Sequence, residues 1–570
     1  MDNNALPDAF LRFFSTKIDD LQASLEEALP SQLSVDIPTQ LCSNMLTNFS
    51  TITPDTTRDI IMNSSTKSCT LDPLPTCILK DCLDVLVDPI TSIINSSILT
   101  GKVPSTLKTA RVTPVIKKPT LDPEVFKNYR PISNTPFLIK TIERVIAKQI
   151  HSHLIANNLY SEFQSAYRKH HSTETALLHV QNDILQAVDL GYEVILVLLD
   201  FTAAFDTIDH SILLTRLEQR FGIFGKAWKW LASYLEDRTQ FVSVNNLNST
   251  TSTVKYGVPQ GSVLGPLLFS LYVAPLEDIF KAHAINVMVY ADDTQLYLVV
   301  KPDDRTSSIH KLEKCVQDIR TWSIKNKLVL NDGKTEIIHI YSNFTKNCPT
   351  CPDINIGNVT ITTKTEVRDL GVIIDKHLSF TSQINNVCKS AFYALNNIRK
   401  IRKYLDSHST QRLIHAFISS RIDNCNSLFC GLPVAEIEKL QRVQNAAARL
   451  VTGSKRTEHI TPTLRNLHWL PVEQRIKFKT ALLVYKALNG MSPSYIKELI
   501  VPYTPARRLR SCNKGLLEIP KSRTSSFGDQ MFSTAAPRLW NSLPDNIRLN
   551  NSSIDDFKRS LKTYLFKLAF

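Results

Sequence analysis

The stretch VMVYADDTQLYL, residues 287–298, constrains this chain more than any other. A run rich in Val, Met, Tyr and Leu predicts buried strand. Asp292 and Asp293 interrupt it. An ionised carboxylate among apolar neighbours costs several kcal/mol unless it is compensated, and two side by side repel each other. Two arrangements relieve the cost. Asp-Asp-Thr can turn between two paired strands and leave the carboxylates at a solvated tip. Alternatively the pair holds a divalent cation, since Mg²⁺ takes hard oxygen ligands from one or two carboxylates plus substrate phosphates. The pair alone leaves both open.

The chain has 570 residues, 43% hydrophobic and 21% charged, enough for several domains with sizeable cores. A net charge of +13 suggests a polyanionic partner. Eleven cysteines, an odd and scattered set, predict reduced thiols rather than a disulfide framework. Cys348 and Cys351 form one C-x-x-C without a second pair at zinc spacing, which reads as a loop. His415, Cys425 and Cys430 read as helix and loop residues rather than metal ligands. No stretch reaches 18 consecutive apolar residues, so no transmembrane helix and no membrane partner are expected. The start, MDNNALPDAFLRFF, lacks a signal-peptide pattern, and nuclear or cytoplasmic residence is the expectation.

Four segments are expected. Residues 1–97 mix short helical patterns with Ser/Thr/Pro-rich stretches, as a leader would. Residues 98–375 alternate strands and helices. Residues 376–455 turn helical and basic: Ile384, Val387, Ala391, Leu395 and Ile398 recur at helical spacing, with Lys389, Arg399, Lys400, Arg402 and Lys403 crowded beside them. That charge fits either a nucleic-acid contact or a solvated face. The helix EIEKLQRVQNAAARLVTG should stop at Gly453. Residues 456–570 hold further helices, among them VEQRIKFKTALLVYKALNG and SIDDFKRSLKTYLFKLAF.

Upstream of the aspartate pair, EVILVLLDFTAAFD places Asp200 at the end of a continuous apolar strand, Val194 to Leu199. A lone Asp there serves equally as a helix cap. Between the two lies YGVPQGSVLGPLLF, with Gly257, Gly261 and Gly265 around Pro259 and Gln260. Glycine permits close backbone approach, and such loops leading into a helix suit phosphate or nucleotide binding. A plain strand–turn–helix would use the same residues.

In order, the strand-end Asp200 with Phe205–Asp206 beyond it, GVPQGSVLGPLLF, and YADD at Tyr290 to Asp293 resemble the palm motifs of a reverse transcriptase. RVTPVIKKP and NYRPIS resemble the family's fingers motifs. FQSAYRKHHSTETAL resembles the segment before the palm in non-LTR, LINE-type enzymes. NDGKTEII is similar to the lysine-bearing fourth palm motif, and RDLGVIID, with Gly371, to the strand that grips the primer. The likeness covers roughly residues 98–450. The tail LRNLHWLPVEQRIKFKTALLVYKALNG resembles the C-terminus of jockey- or chicken-repeat-like elements.

The resemblance implies a right-hand α/β (α+β) polymerase. Fingers and palm, with an antiparallel palm sheet, would span residues 98–375, a helical thumb 376–455, and a mostly helical extension 456–570. It implies RNA-directed DNA synthesis from a template RNA, a primer DNA and dNTPs. Asp200, Asp292 and Asp293 would be catalytic and, with the Phe201 carbonyl, would hold two Mg²⁺ ions, Mn²⁺ being a substitute. Phe205 would be the steric gate against a ribose 2′-hydroxyl, its alternative being an aromatic core anchor. Gln260 and Gly261 would lie against nucleotide and template. Arg130 and Lys117 would bind the triphosphate, or else be solvated surface charges. Lys334 would protonate the pyrophosphate, or else be a helix-end lysine. Tyr290 would pack under the primer terminus, and Lys389, Arg399, Lys400, Arg402 and Lys403 would contact duplex phosphates. Relatives of this group usually carry an endonuclease upstream, and too few residues precede the fingers here for one, so a portion of a longer reading frame is expected. A catalytically silent or domesticated nucleic-acid-binding remnant is the alternative function.

Overall fold

The computed structural model describes residues 5–28, 44–301, 304–342, 354–356, 359–505, 514–549 and 553–570. Cys348 and Cys351 lie outside them. The chain divides into two compact units of interleaved segments. The first takes residues 1–167, 200–284 and 314–333, the second 168–199, 285–313 and 334–570.

The first unit is built on a five-stranded sheet. Strand Thr109–Ile116 pairs antiparallel with Tyr129–Asn134 and parallel with Thr239–Val244, which carries the short strands Leu247–Asn248 and Ser252–Thr253. The helix Leu6–Ala28 lays Phe10, Leu11 and Phe14 on Val112 and Val242 of this sheet. Within the stretch expected as a leader, the helix Leu6–Ala28 is thus packed on this sheet. The helix Phe137–Ala156 buries Ile139, Ile142, Ile146 and Ile150, the three-and-four spacing of one helical stripe.

One helix of this unit, Leu83–Thr100, is long and apolar enough to cross a membrane by length and composition, where the sequence led us to expect none. Asp84 and Asp88 interrupt its apolar run. Its stripe of Leu83, Val87, Ile90, Ile94 and Ile98 is buried, and it packs against the helix Gly225–Leu235.

The second unit is organised by a four-stranded sheet in the order Glu336–Ile340, Glu193–Leu199, Asp293–Val300, Asn286–Tyr290, antiparallel throughout. The antiparallel sheet expected around YADD is there. Val194 to Val197 are all buried, which explains the unbroken apolar run: this central strand is covered on both faces. The helix Thr173–Asp189 packs on the sheet and shares one hydrophobic core with residues up to Leu565. Ile384, Val387, Ala391, Leu395 and Ile398 of the helix Thr381–Ile401 are buried as their spacing predicts. The helix Val434–Thr452 ends on Gly453 at φ 76°, the left-handed cap read from the sequence.

Candidate functional site

In the second unit, strands Asn286–Tyr290 and Asp293–Val300 form a hairpin in which Tyr290 stands opposite Asp293. The two-residue turn is therefore Ala291–Asp292, with Ala291 at φ 61°. The turn begins one residue earlier than Asp-Asp-Thr suggests, and Asp293 already opens the return strand. Asp293 is exposed and Asp292 half-buried, so the carboxylates escape the burial cost their apolar context implied. Tyr290 packs against the unit's core. The return strand pairs with Glu193–Leu199 so that Leu199 faces Thr294. The strand thus ends one residue before Asp200 and opposite the residue that follows Asp293.

Asp200 belongs to the first unit. No helix starts there: Phe201–Thr202 continues as a short strand against Val329–Leu330, and the cap of the next helix is Asp209. The Asp200 carbonyl accepts from the Asn331 amide at 2.8 Å, and its carboxylate accepts from Asn331 Nδ2 at 3.3 Å. Beyond it the chain turns through Ala203 at φ 50° to present Phe205, whose ring stacks on Phe269 at 4.6 Å.

The glycine-bearing loop is fitted to that turn. Val258 N donates to the Phe205 carbonyl at 2.9 Å and Gly257 N to the Ile208 carbonyl at 2.8 Å. Gln260 Nε2 donates to Asp206 Oδ2 at 2.7 Å. A Cβ on Gly257 (φ 81°) would stand 2.7 Å from the Asp206 carbonyl oxygen, and one on Gly261 (φ 118°) would stand 2.6 Å from that of Ser133. Both glycines are required by close approach and by backbone conformation. Burial pushes the Asp206 carboxyl up to about 6, with the Gln260 bond pulling the other way. The loop is thereby held against the turn that carries Phe205, and the Gln260 carbonyl accepts from Ser133 N at 2.9 Å, tying the loop to the strand Tyr129–Asn134.

Residues 116–374 match the family model described as reverse transcriptase (RNA-dependent DNA polymerase). This segment is similar to that domain. Among curated relatives, the chain is 27% identical over 404 residues to a protein named probable RNA-directed DNA polymerase from transposon BS of Drosophila melanogaster, covering 70% of this chain and 44% of the relative. It is 30% identical over 345 residues to the probable RNA-directed DNA polymerase from transposon X-element of the same organism, covering 57% and 36%. It is 28% identical over 300 residues to the RNA-directed DNA polymerase from mobile element jockey of Drosophila funebris, covering 52% and 32%. The chain therefore spans less than half the length of these relatives.

Other residues of the matched segment fall on defined elements. Lys117 directly follows the strand Thr109–Ile116, and Arg130 faces Val115, so one hairpin carries both. Lys117 Nζ donates to the Lys127 carbonyl at 2.6 Å. Lys334 is exposed, on the short turn Asp332–Lys334 leading to strand Glu336–Ile340. Leu370 (φ 43°) and Gly371 (φ 87°) make the tight turn between strands Glu366–Asp369 and Val372–Asp375, a pair of left-handed residues that suits a two-residue hairpin.

C-terminal to the domain, Lys389, Arg399, Lys400 and Lys403 are exposed. Arg402 is not grouped with them. Its guanidinium donates to the carbonyls of Leu450, Leu405 and Val451, and so closes the end of the helix Val434–Thr452. Charge alone did not distinguish the two uses. The His415 ring lies tilted against Trp469 at 5.3 Å and Cys425 is buried.

Three functional candidates were not visible in the sequence. Glu143, fully buried, accepts from the Val263 amide at the loop's exit and from Tyr234 Oη at 2.9 Å. Burial raises its carboxyl above the ordinary range. Asn331 holds Asp200, and its place in NDGK was the available signal. Asp369, buried in the Gly371 hairpin, is pushed up to about 8 by burial and by the charge of Asp293; nothing in RDLG marks it.

The donor set suits a hard divalent ion: adjacent, partly solvated carboxylates on a fixed hairpin tip. Among the described residues, no three acidic, His or Cys side chains form a ready-made metal cluster. A hexacoordinate ion on this tip would complete its shell with water and substrate phosphate oxygens.

Proposed function

We propose that this chain is an RNA-directed DNA polymerase of a non-LTR retrotransposon, adding dNTPs to a primer 3′-hydroxyl on an RNA template. The observation that carries this is the register of the second unit's sheet: Leu199 opposite Thr294 directs the ends of two strands, one before Asp200 and one at Asp292–Asp293, toward the same edge. The first unit's sheet is the fingers, the YADD sheet the palm, and the helices of residues 376–455 the thumb.

Asp292 and Asp293 at the hairpin tip and, by the family resemblance, Asp200 and the Phe201 carbonyl would hold two Mg²⁺ ions, or Mn²⁺. When bound, the ions supply activation of the attacking hydroxyl and charge neutralisation on the leaving pyrophosphate. The remaining steps fall to this chain's residues. Asn331 fixes the Asp200 carboxylate. Phe205, clamped by Phe269 and the Gln260 loop, refuses a 2′-hydroxyl. Lys117 and Arg130 orient the triphosphate from their hairpin, Lys334 donates a proton to the departing pyrophosphate, and Tyr290 and Gly371 support the primer end. Lys389, Arg399, Lys400 and Lys403 bind duplex phosphates.

The test is extension of oligo(dT) by dTTP on poly(rA) with Mg²⁺. The expected result is a ladder of products on poly(rA) that EDTA abolishes and added Mg²⁺ restores. Folded protein that binds the duplex without extending it would replace this proposal with the nucleic-acid-binding remnant.

A further inference from the structure

Phe205 sits on a turn that is neither helix nor strand, so its precision depends on what holds residues 203–208. Part of that hold comes from the glycine-bearing loop through Gly257, Val258 and Gln260. Another part comes from 185 residues upstream: Gln22 Nε2 donates to the Thr207 carbonyl at 3.0 Å. Gln22 lies on the helix Leu6–Ala28, outside the matched domain of residues 116–374. It is 3% exposed, and Thr207 is fully buried. The helix is pinned at its other end as well, where Asp8 accepts from Thr250 N at 2.9 Å and Thr250 Oγ1 at 2.8 Å.

The chemistry of Gln22 is unusual for a residue placed for stability. Its Oε1 is buried without a hydrogen-bond partner. A buried amide satisfied at one end only is a net cost that an apolar side chain of the same volume would remove. What the amide does accomplish is to hold one carbonyl, two residues beyond Phe205.

We propose that Gln22 is a positioning residue for the gate: it fixes the turn that carries Phe205 and thereby sets how strictly ribonucleotides are refused. A steric gate discriminates only while its ring cannot yield, which requires support from surrounding residues. The helix Leu6–Ala28 is then part of the selectivity apparatus of the polymerase. This inference rests on the polymerase activity proposed above.

The experiment compares the full chain with Gln22→Met and Gln22→Leu, which keep apolar packing and remove the donor. Each is assayed on poly(rA)/oligo(dT) with dTTP and with UTP, alongside its melting temperature. The ratio of kcat/KM for dTTP to that for UTP should fall about five-fold, the factor that one net hydrogen bond represents. The change should appear as a lower KM for UTP, with kcat for dTTP unaltered and melting unchanged or raised. An unchanged ratio in folded variants would overturn the inference while leaving the polymerase intact. So would a loss of dTTP turnover with the ratio preserved. A wild type that extends with neither nucleotide would overturn the polymerase assignment itself and this inference with it.

Discussion

Leu199 stands opposite Thr294 in the antiparallel sheet of the second unit, so a strand that ends in Leu199 and one that begins at Asp293 share an edge. The proposed role of the carboxylates here is to bind rather than to stabilise. Asp293 is exposed, and its charge raises the carboxyl of the buried Asp369. Asp293→Asn should therefore change unfolding free energy by no more than about 1 kcal/mol, on the stabilising side. A urea titration checks this; a loss of several kcal/mol would mean that Asp293 is structural.

Asp206 gives the first unit a pH signature. Its carboxyl is raised from 3.8 to about 6, so the native state holds this proton more tightly than the unfolded chain. Stability therefore declines as pH rises from about 4 to about 6, then levels off. Asp206→Asn removes that decline and can still accept from Gln260. The variant should match wild type near pH 4 and exceed it by about 1 kcal/mol above pH 6, a figure discounted for the partial exposure of the group. Denaturant melts across that range test it, and a difference independent of pH would contradict the assigned burial.

What was legible in the sequence follows local pattern. The central strand announced itself because Val194 to Val197 are covered on both faces, and the helix Thr381–Ile401 because its buried residues recur every three or four positions. The hairpin was legible except for its register, which depends on Ala291 taking a left-handed conformation that its side chain does not advertise. The links between distant segments were not legible. Gln260 reaches Asp206 and Gln22 reaches Thr207 through single hydrogen bonds that leave no periodicity. Arg402 was misjudged with its neighbours because a guanidinium reads the same in sequence whether it faces solvent or caps carbonyls.

The two uses of arginine and lysine separate experimentally. Arg402→Ala removes two hydrogen bonds to the last carbonyls of the helix Val434–Thr452 and one to that of Leu405 and should cost about 1–3 kcal/mol of stability. Lys400→Ala should leave stability within about 0.5 kcal/mol and weaken duplex binding, lowering the slope of log affinity against log salt by about 1. Thermal melts and salt-dependent binding isotherms distinguish them, and the reverse pattern would contradict the placement.

Asp189 ties residues 456–570 to the helix that precedes the central strand. It accepts from the amides of Arg523 and Thr524 and from Thr524 Oγ1, each at 2.7–2.8 Å. Asp189→Ala should cost about 2–4 kcal/mol by leaving these donors unpaired. Ending the chain at residue 455 should expose the shared core and yield aggregated protein. A soluble, cooperatively melting truncation would show the C-terminal region to be an independent appendage.

The most direct measurement compares wild type with Asp292→Asn in Mg²⁺-dependent extension of oligo(dT) on poly(rA), with template binding followed on the same preparations. The account predicts that wild type extends the primer, and that the variant binds the duplex equally but extends it at least about a thousand-fold more slowly, the loss of several kcal/mol of transition-state stabilisation. Extension by Asp292→Asn at the wild-type rate would contradict the role assigned to the aspartate pair.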